Sequence, residues 1–356
     1  MSMATITATM LPDYSRQQLL KEIGAEGQAT LARSRVLIVG VGGLGSPVLQ
    51  YLAGAGVGHL GLVDADTLDA SNLHRQPIYA LADAGKVKVE LARTAALAIN
   101  PSVEVETHAV RFDSGNALDL VRAYDVTVDC SDNFAAKFLL NDAAVLAQRP
   151  AVFASVYQYE GQLQVYKPQA DHACLRCLWP DATADGVVGN CAEAGVLGPV
   201  PGMLGSLQAL LTLKILLGLS GQLGGELLLL DFMNFSTVKL KAPRRSACAA
   251  PGCALIHDIP RDEKEVEIDL PSLAAASDRR LEVIDIRSAE EVEATPAQLR
   301  HIAMSALLAD PALLSATGRY LLVCASGKRS LAAARELRKK GLAVHSLAGG
   351  LQMLGR

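Results

Sequence analysis

Arg35-Val-Leu-Ile-Val39 runs straight into Gly40-Val-Gly-Gly-Leu-Gly45. The first five residues read as a buried strand, and a helix is expected from about Ser46. Between them, Gly40, Gly42 and Gly45 form a GxGxxG turn. Glycine allows a tight turn and close approach of backbone to phosphate. The following helix start offers free N–H groups and the positive end of its dipole. Asp64 closes the next strand, His59 to Val63, 24 residues after Gly40. A carboxylate there can accept hydrogen bonds from ribose hydroxyls. Strand, turn, helix and acid together predict a nucleotide site, without choosing between NAD and ATP.

Outward from this unit, Tyr14 to Arg33 reads as an amphipathic helix with Leu19, Leu20 and Ile23 on one side. Lys86 to Ile99 is helical until Asn100-Pro101 stops it. Val103 to His108, Asp125 to Asp129 and Ala151 to Val156 read as further strands. Strands alternating with helices predict an α/β fold with a doubly wound, Rossmann-like, largely parallel sheet. After Glu160 come a strand, an irregular cysteine-bearing stretch, an apolar helix near Met203 to Leu217, and strands around Leu227 and Val238. Composition shifts at Asp258-Ile-Pro-Arg-Asp-Glu-Lys-Glu265. Beyond it, strands Glu282 to Ile286 and Tyr320 to Cys324 and a helix Ser330 to Lys340 indicate a second, smaller α/β unit. The expected organisation is a nucleotide domain over 1–257, a linker over 258–265, and a small domain over 266–356.

Of the 356 residues half are hydrophobic and 20% charged, which excludes a disordered chain. Lysine plus arginine number 33 against 37 acids, and aromatics are 4% with Trp179 the single tryptophan. That balance speaks against a general nucleic-acid or anionic-membrane binder. Ala194 to Leu213 is uncharged, but Pro199, Pro201, its glycines and Gln208 suit a loop and core helix better than a membrane span. Met1 to Met10 lacks the basic start and apolar core of a signal peptide. Seven cysteines, with two close pairs, suggest metal and thiol chemistry in a reduced, cytoplasmic setting.

Asp66 and Ser71-Asn-Leu-His-Arg-Gln76 follow the ribose position, Lys88 opens a helix, and Asp132-Asn133 follows Thr127-Val-Asp-Cys-Ser131. Singly, these are ordinary surface charges. As a set they suit adenylyl transfer: Arg75 and Lys88 can hold pyrophosphate charge, and Asp132 can hold Mg²⁺. Cys174-Leu-Arg-Cys177 and Cys248-Ala-Ala-Pro-Gly-Cys253 lie 70 residues apart. Four thiolates in two short-spaced pairs suit a structural Zn²⁺ site; four buried free thiols, acting as small hydrophobes, are the alternative. Cys324, in Leu322-Val-Cys-Ala-Ser-Gly-Lys-Arg-Ser330, follows a buried strand at the mouth of a helix. Backbone N–H groups, the helix dipole, Lys328 and Arg329 there favour a thiolate.

The glycine loop, Asp64, Ser71 to Gln76, Gly85-Lys-Val-Lys88 and Asp129-Cys-Ser-Asp-Asn133 together resemble the MoeB/ThiF/HesA family, bacterial relatives of ubiquitin-activating enzymes. The resemblance runs from about Tyr14 to Cys253. It implies binding of ATP and Mg²⁺, and adenylation of the C-terminal glycine of a ubiquitin-like sulfur carrier protein. It implies nucleotide contacts by Gly40, Gly42, Gly43, Gly45, Asp64, Ser71, Asn72, Leu73, His74, Arg75, Lys88, Asp132 and Asn133. His74 serves equally well as a plain polar residue. Arg16 resembles an arginine that enters the partner subunit's site, which implies a homodimer. Cys174 and Cys177 match the family's zinc pair, whereas the second pair has four intervening residues in place of the usual two. Lys137 stands where arginine is frequent, a departure that bears on carrier docking. Cys191 falls in the segment that crosses the nucleotide site and is a candidate for a covalent link to the carrier; Cys130 reads as packing.

The Cys324 loop, with Asp285-Ile-Arg287 upstream and Leu347-Ala-Gly-Gly350 downstream, resembles a rhodanese-like sulfurtransferase domain over about Glu265 to Arg356. That implies a persulfide on Cys324. Departures are Ala325, where arginine is common, and an early stop at Arg356. The combination is similar to MoeZ-type sulfurylases and implies two steps: adenylation of the carrier, then sulfur transfer to give a thiocarboxylate. A cysteine-desulfurase persulfide or thiosulfate would supply the sulfur. The pathway served (molybdopterin, thiamine thiazole or a related sulfur insertion) stays open. So do two rivals: an NAD-dependent Rossmann oxidoreductase, and a non-catalytic scaffold that binds a ubiquitin-like protein.

Overall fold

In the computed structural model, Arg35–Val39 forms β1, buried inside an eight-stranded sheet. The structure describes residues 11–168, 172–180, 195–245, 248, 253, 256, 259, 266–270, 272–278, 281–294, 299–315 and 318–353. Contacts divide the chain into two units, Met1–Ile259 and Pro260–Arg356.

The first unit begins with α1 (Ser15–Gln18) and α2 (Gly24–Arg33). The single helix expected over Tyr14 to Arg33 is therefore two, separated by a turn over 19–23, with Gly24 opening α2 at a left-handed φ of 54°. Leu19 and Leu20 are exposed; Leu31 is the buried apolar residue of α2. After β1 come α3 (Gly45–Ala55), β2 (His59–Val63), α4 (Lys88–Ile99), β3 (Glu104–His108), α5 (Ala117–Arg122), β4 (Val126–Asp129), α6 (Phe134–Ala147) and β5 (Ala151–Tyr157). Then follow β6 (Glu160–Tyr166), α7 (Leu175–Leu178), α8 (Pro199–Leu216), β7 (Glu226–Asp231) and β8 (Ser236–Lys241).

The strand order is β3-β2-β1-β4-β5-β6-β7-β8. β1 to β5 are mutually parallel, and β6, β7 and β8 add antiparallel. After Arg35 and His59, β1 and β2 read as continuous apolar runs because helices cover both faces. The order reverses between β1 and β4, which opens a crevice beyond their C-terminal ends, where ligands bind in such sheets. α4 starts at Lys88, two residues later than the periodicity suggests. Gly85, at φ 86°, and a bond from Leu68 N to Lys86 O hold the preceding residues in a turn. α8 starts earlier than expected, with proline in its first turn. It is long and apolar enough to cross a membrane by length and composition. Here it packs against α3 and β5, and Gln208 at its centre is fully buried.

The second unit is a five-stranded parallel sheet of order β11-β10-β12-β13-β9. Its elements are β9 (Glu267–Ile268), α9 (Ala274–Asp278), β10 (Glu282–Asp285), α10 (Ala289–Ala294), β11 (Arg300–His301), α11 (Met304–Ala309), β12 (Arg319–Val323), α12 (Lys328–Lys339) and β13 (Ala343–Leu347). Ile284, Leu322, Ala333, Leu337 and Val344 lie in its core.

Candidate functional site

The first candidate site is the crevice between the ends of β1 and β4. Gly40 has φ 92°, and a Cβ on it would lie 2.6 Å from the Cys130 carbonyl oxygen. A Cβ on Gly45 would lie 2.1 Å from the Gly40 carbonyl oxygen. The turn therefore closes only with glycine at both positions. Asp64 braces it: Oδ2 accepts from Val41 N at 3.0 Å and Oδ1 from Asp66 N at 2.9 Å. Burial raises the Asp64 pKa, and these two N–H groups together with Lys88 only partly offset that.

Lys88, the first residue of α4, is buried, and its Nζ donates to Asp66 Oδ2 at 2.9 Å. Tyr79, unmarked by any motif, donates its hydroxyl to Val41 O at 2.8 Å and so ties the glycine turn to the 70–88 segment. Burial foremost, and then the charge of Asp64, holds that phenol neutral. Ala70–Asn72 is one turn of 3₁₀ helix, capped by Asp69, whose side chain accepts from Ser71 N while Asn72 Oδ1 accepts from Asp69 N. The Arg75 guanidinium donates to Ser71 O and meets His74 Nε2 at 2.8 Å. Leu73 packs on the core and His74 is exposed. Gln76 is buried with its Oε1 unpartnered, and its amide nitrogen lies 3.4 Å from where a Cβ on Gly42 would be. A Cβ on Gly43 would meet Pro201 of α8 at 3.3 Å.

On the β4 side, Asn133 caps α6 by accepting from Ala136 N at 2.8 Å. Asp132 is exposed at the turn. Beneath it lies a network that sequence spacing did not reveal. Asp129, fully buried, pairs with Lys137 and accepts from Ser131 Oγ at 2.6 Å. Gln208 of α8 donates to Asp129 O at 2.7 Å. Lys137, the position of departure noted above, is thus buried in an ion pair and also donates to Ala154 O. Arg16 is exposed on α1, and no described contact joins it to this crevice. Cys191 lies outside the described residues. The chain re-enters beside the crevice: a Cβ on Gly198 would lie 2.1 Å from the His74 carbonyl oxygen.

The Sγ atoms of Cys174, Cys177 and Cys248 lie within 4.8 Å of one another, and Cys253 Sγ lies 2.9 Å from that of Cys248. Tyr166, His172 and Arg244 line the same hollow. Cys174 and Cys177 are 3.8 Å apart, which matches the edge of about 3.8 Å expected between thiolates each about 2.3 Å from a tetrahedral zinc. The hydrogen bond from Cys174 brings the Cys177 thiol down to about 5, while that same bond and burial push Cys174 up. The donor type and the Cys174–Cys177 edge fit a structural zinc, whereas Cys248 and Cys253, at 2.9 Å, stand closer than such an edge.

In the second unit Cys324 is buried at the C-terminal end of β12. Gly327, at φ 81°, turns the loop into α12, and Ser330 N and Ser330 Oγ approach the sulfur at 3.4 and 3.5 Å. Burial raises the thiol pKa, but the Ser330 hydroxyl and the N–H groups of Ser330, Arg329 and Ser326 together outweigh it, so the net shift is downward. Leu347–Gly350 packs under the loop, and Leu351 N donates to Cys324 O at 2.9 Å. Asp285 and Arg287 form a buried ion pair at 2.7 Å. A cradle of N–H donors around a buried thiol can hold a thiolate or a persulfide.

The sequence profile of the ThiF family matches residues 14–250. A "Sulfur carrier protein adenylyltransferase" of Thermus thermophilus is 46% identical over 250 residues, 69% of this chain and 92% of that protein. An "Adenylyltransferase and sulfurtransferase MOCS3" of Aedes aegypti is 38% identical over 374 residues, 95% of this chain and 85% of that protein. The protein of the same description from Drosophila willistoni is 43% identical over 278 residues, and the match spans 61% of its length. Among solved structures, E. coli MccB aligns with a TM-score of 0.59 at 23% identity, covering 67% of this chain and 72% of that one, a likeness of fold alone.

Proposed function

From the premise that this chain belongs to the ThiF family, we propose that it adenylates the C-terminal glycine carboxylate of a ubiquitin-like sulfur carrier protein and then exchanges AMP for sulfur carried on Cys324. The observation that carries this reading is the buried Lys88 ammonium held against Asp66 beside the glycine turn. A hydride-transfer site has no need of a buried cation there, whereas a site that breaks a phosphoanhydride does.

ATP would lie across the Gly40–Gly45 turn with its ribose at Asp64. Arg75 and Lys88 would hold the charge of the departing pyrophosphate, and Asp132 would hold Mg²⁺, which supplies further charge neutralisation. The carrier carboxylate is already ionised and attacks the α-phosphorus without a general base. The work left to the protein is positioning and electrostatic stabilisation. The unpartnered Gln76 Oε1 offers an acceptor on the floor of the site.

A persulfide on Cys324 would then attack the acyl carbon and AMP would leave; a thiol attacking the Cys324 sulfur would release the thiocarboxylate and form a disulfide with Cys324, which an external dithiol reductant would open for the next turnover. Cys191 would be the candidate for a covalent link to the carrier. Cys174, Cys177, Cys248 and Cys253 would hold a structural Zn²⁺, and Arg16 would serve the partner site of a homodimer. Carrier-dependent ATP–pyrophosphate exchange tests the first half-reaction. Its absence in a folded preparation would favour the scaffold reading.

A further inference from the structure

At the mouth of the Cys324 cradle, Arg329 of α12 faces Glu291 of α10 as a two-pronged pair. Nη1 donates to Oε2 at 2.7 Å and Nη2 to Oε1 at 2.6 Å. Arg329 stands five residues after Cys324, next to Ser330, whose N–H and hydroxyl approach the sulfur. Glu291 is itself fixed: Oε2 accepts from Ser288 N at 3.0 Å, and Glu291 N donates to Ser288 Oγ at 3.3 Å. The Glu291 and Arg329 side chains are 38% and 43% exposed, while Cys324 is buried. Arg287, paired to Asp285, interacts with both. Lys328 and Glu290 are exposed nearby in sequence. Arg329, on the Cys324 loop, thus has its charge met by Glu291, as Arg287 has its own met by Asp285.

We propose that Glu291 is a positioning and specificity-determining residue, which holds Arg329 at the Cys324 loop while cancelling its charge toward anions arriving from solvent. The site would then discriminate against small dianionic sulfur donors relative to neutral or protein-borne ones. This rests on the reading of Cys324 as the sulfur-accepting thiol. With a thiosulfate-class donor, the thiolate attacks the outer sulfur and the S–S bond breaks. Sulfite leaves with the electron pair and the persulfide remains on Cys324, with no outside oxidant or reductant. A thiolate and a dianion must meet in this step, so a carboxylate at the entrance acts directly on it.

The test uses the full chain with Glu291→Gln, Glu291→Asp and Arg329→Gln. One readout is KM and kcat for thiosulfate with cyanide as acceptor. The other is the ratio of Cys324 alkylation rates by anionic iodoacetate and neutral iodoacetamide, read by peptide mass spectrometry. Glu291→Gln should lower KM for thiosulfate by about three- to tenfold and raise the iodoacetate-to-iodoacetamide ratio similarly, with the difference shrinking at high salt. Glu291→Asp, which keeps the charge, should leave the ratio near wild type, and Arg329→Gln should lower it. An unchanged or reduced ratio in Glu291→Gln would overturn the proposal. The alkylation ratio requires no sulfur transfer. Failure of wild-type protein to take sulfur from any donor would therefore sink the reading of Cys324, while the ratio still decides the role of Glu291.

Discussion

Lys88 Nζ sits 2.9 Å from Asp66 Oδ2, the amine buried and the carboxylate open to solvent. The pair joins the start of α4 to the segment that follows β2, which puts one cation beside the Gly40–Gly45 turn. A buried ammonium needs a partner, and Asp66 supplies it in the free enzyme. Lys88→Ala should cut carrier-dependent ATP–pyrophosphate exchange by about two to three orders of magnitude, as for loss of one preorganised charge. Asp66→Asn should cost much less. Near-normal exchange in Lys88→Ala would remove Lys88 from the chemistry.

Asp132 is exposed and no described side chain bonds it. Asp132→Ala should therefore leave stability within about 0.5 kcal/mol, as for an ordinary surface change. It should nevertheless abolish exchange at millimolar Mg²⁺. A thermal melt and an exchange assay on the same preparation separate the two effects; a large loss of stability would make Asp132 structural.

Asp129 and Lys137 form a buried ion pair that also anchors Ser131 and α6. Lys137→Ala leaves a buried carboxylate alone and should destabilise the first unit by about 3–5 kcal/mol. Trp179 is the only tryptophan and belongs to that unit, so its fluorescence during urea unfolding reads the loss. A shift below about 1 kcal/mol would show that the carboxylate is relieved by protonation or by solvent.

Much of this site is written in local sequence. The run Arg35–Val39 into a glycine turn, Asp64 at the end of the next strand, and the paired cysteines all carry their meaning within a few residues. The partners of buried charges do not. Lys88 finds Asp66 22 residues away, and Arg329 finds Glu291 across 38. Those pairings exist only after strand order brings α4 to β2 and α12 to α10. Nothing in the spacing marks Lys137 as buried, since a lone lysine seldom lies inside; only its pairing with the buried Asp129 explains it. Tyr14 to Arg33 kept helical spacing across Gly24, so periodicity alone could not find the break.

Zinc removal offers a further check. Purified under reducing, chelator-free conditions, the protein should carry about one zinc per chain, and Cys174→Ser should lower both metal content and thermal stability. Less than about a tenth of an equivalent in wild-type protein would show that the four thiols stand as buried hydrophobes.

The lowered Cys324 thiol sets a pH profile. Below its pKa the sulfur is protonated and unreactive, so alkylation should fall as pH drops through a midpoint below that of an ordinary cysteine. Ser330→Ala removes a hydroxyl donor at 3.5 Å and should move that midpoint upward. A downward or absent shift would mean the hydroxyl does not stabilise the thiolate.

The most direct test incubates the full chain with ATP, Mg²⁺, a persulfide donor and each small glycine-terminated ubiquitin-like protein of the source organism, and weighs that protein by mass spectrometry. One of them should gain the mass of a carboxylate-to-thiocarboxylate exchange. Lys88→Ala should give neither adenylate nor thiocarboxylate, and Cys324→Ala should stop at the adenylate. Full thiocarboxylate from Cys324→Ala, with the persulfide as sole sulfur source, would contradict the division of labour between the two units.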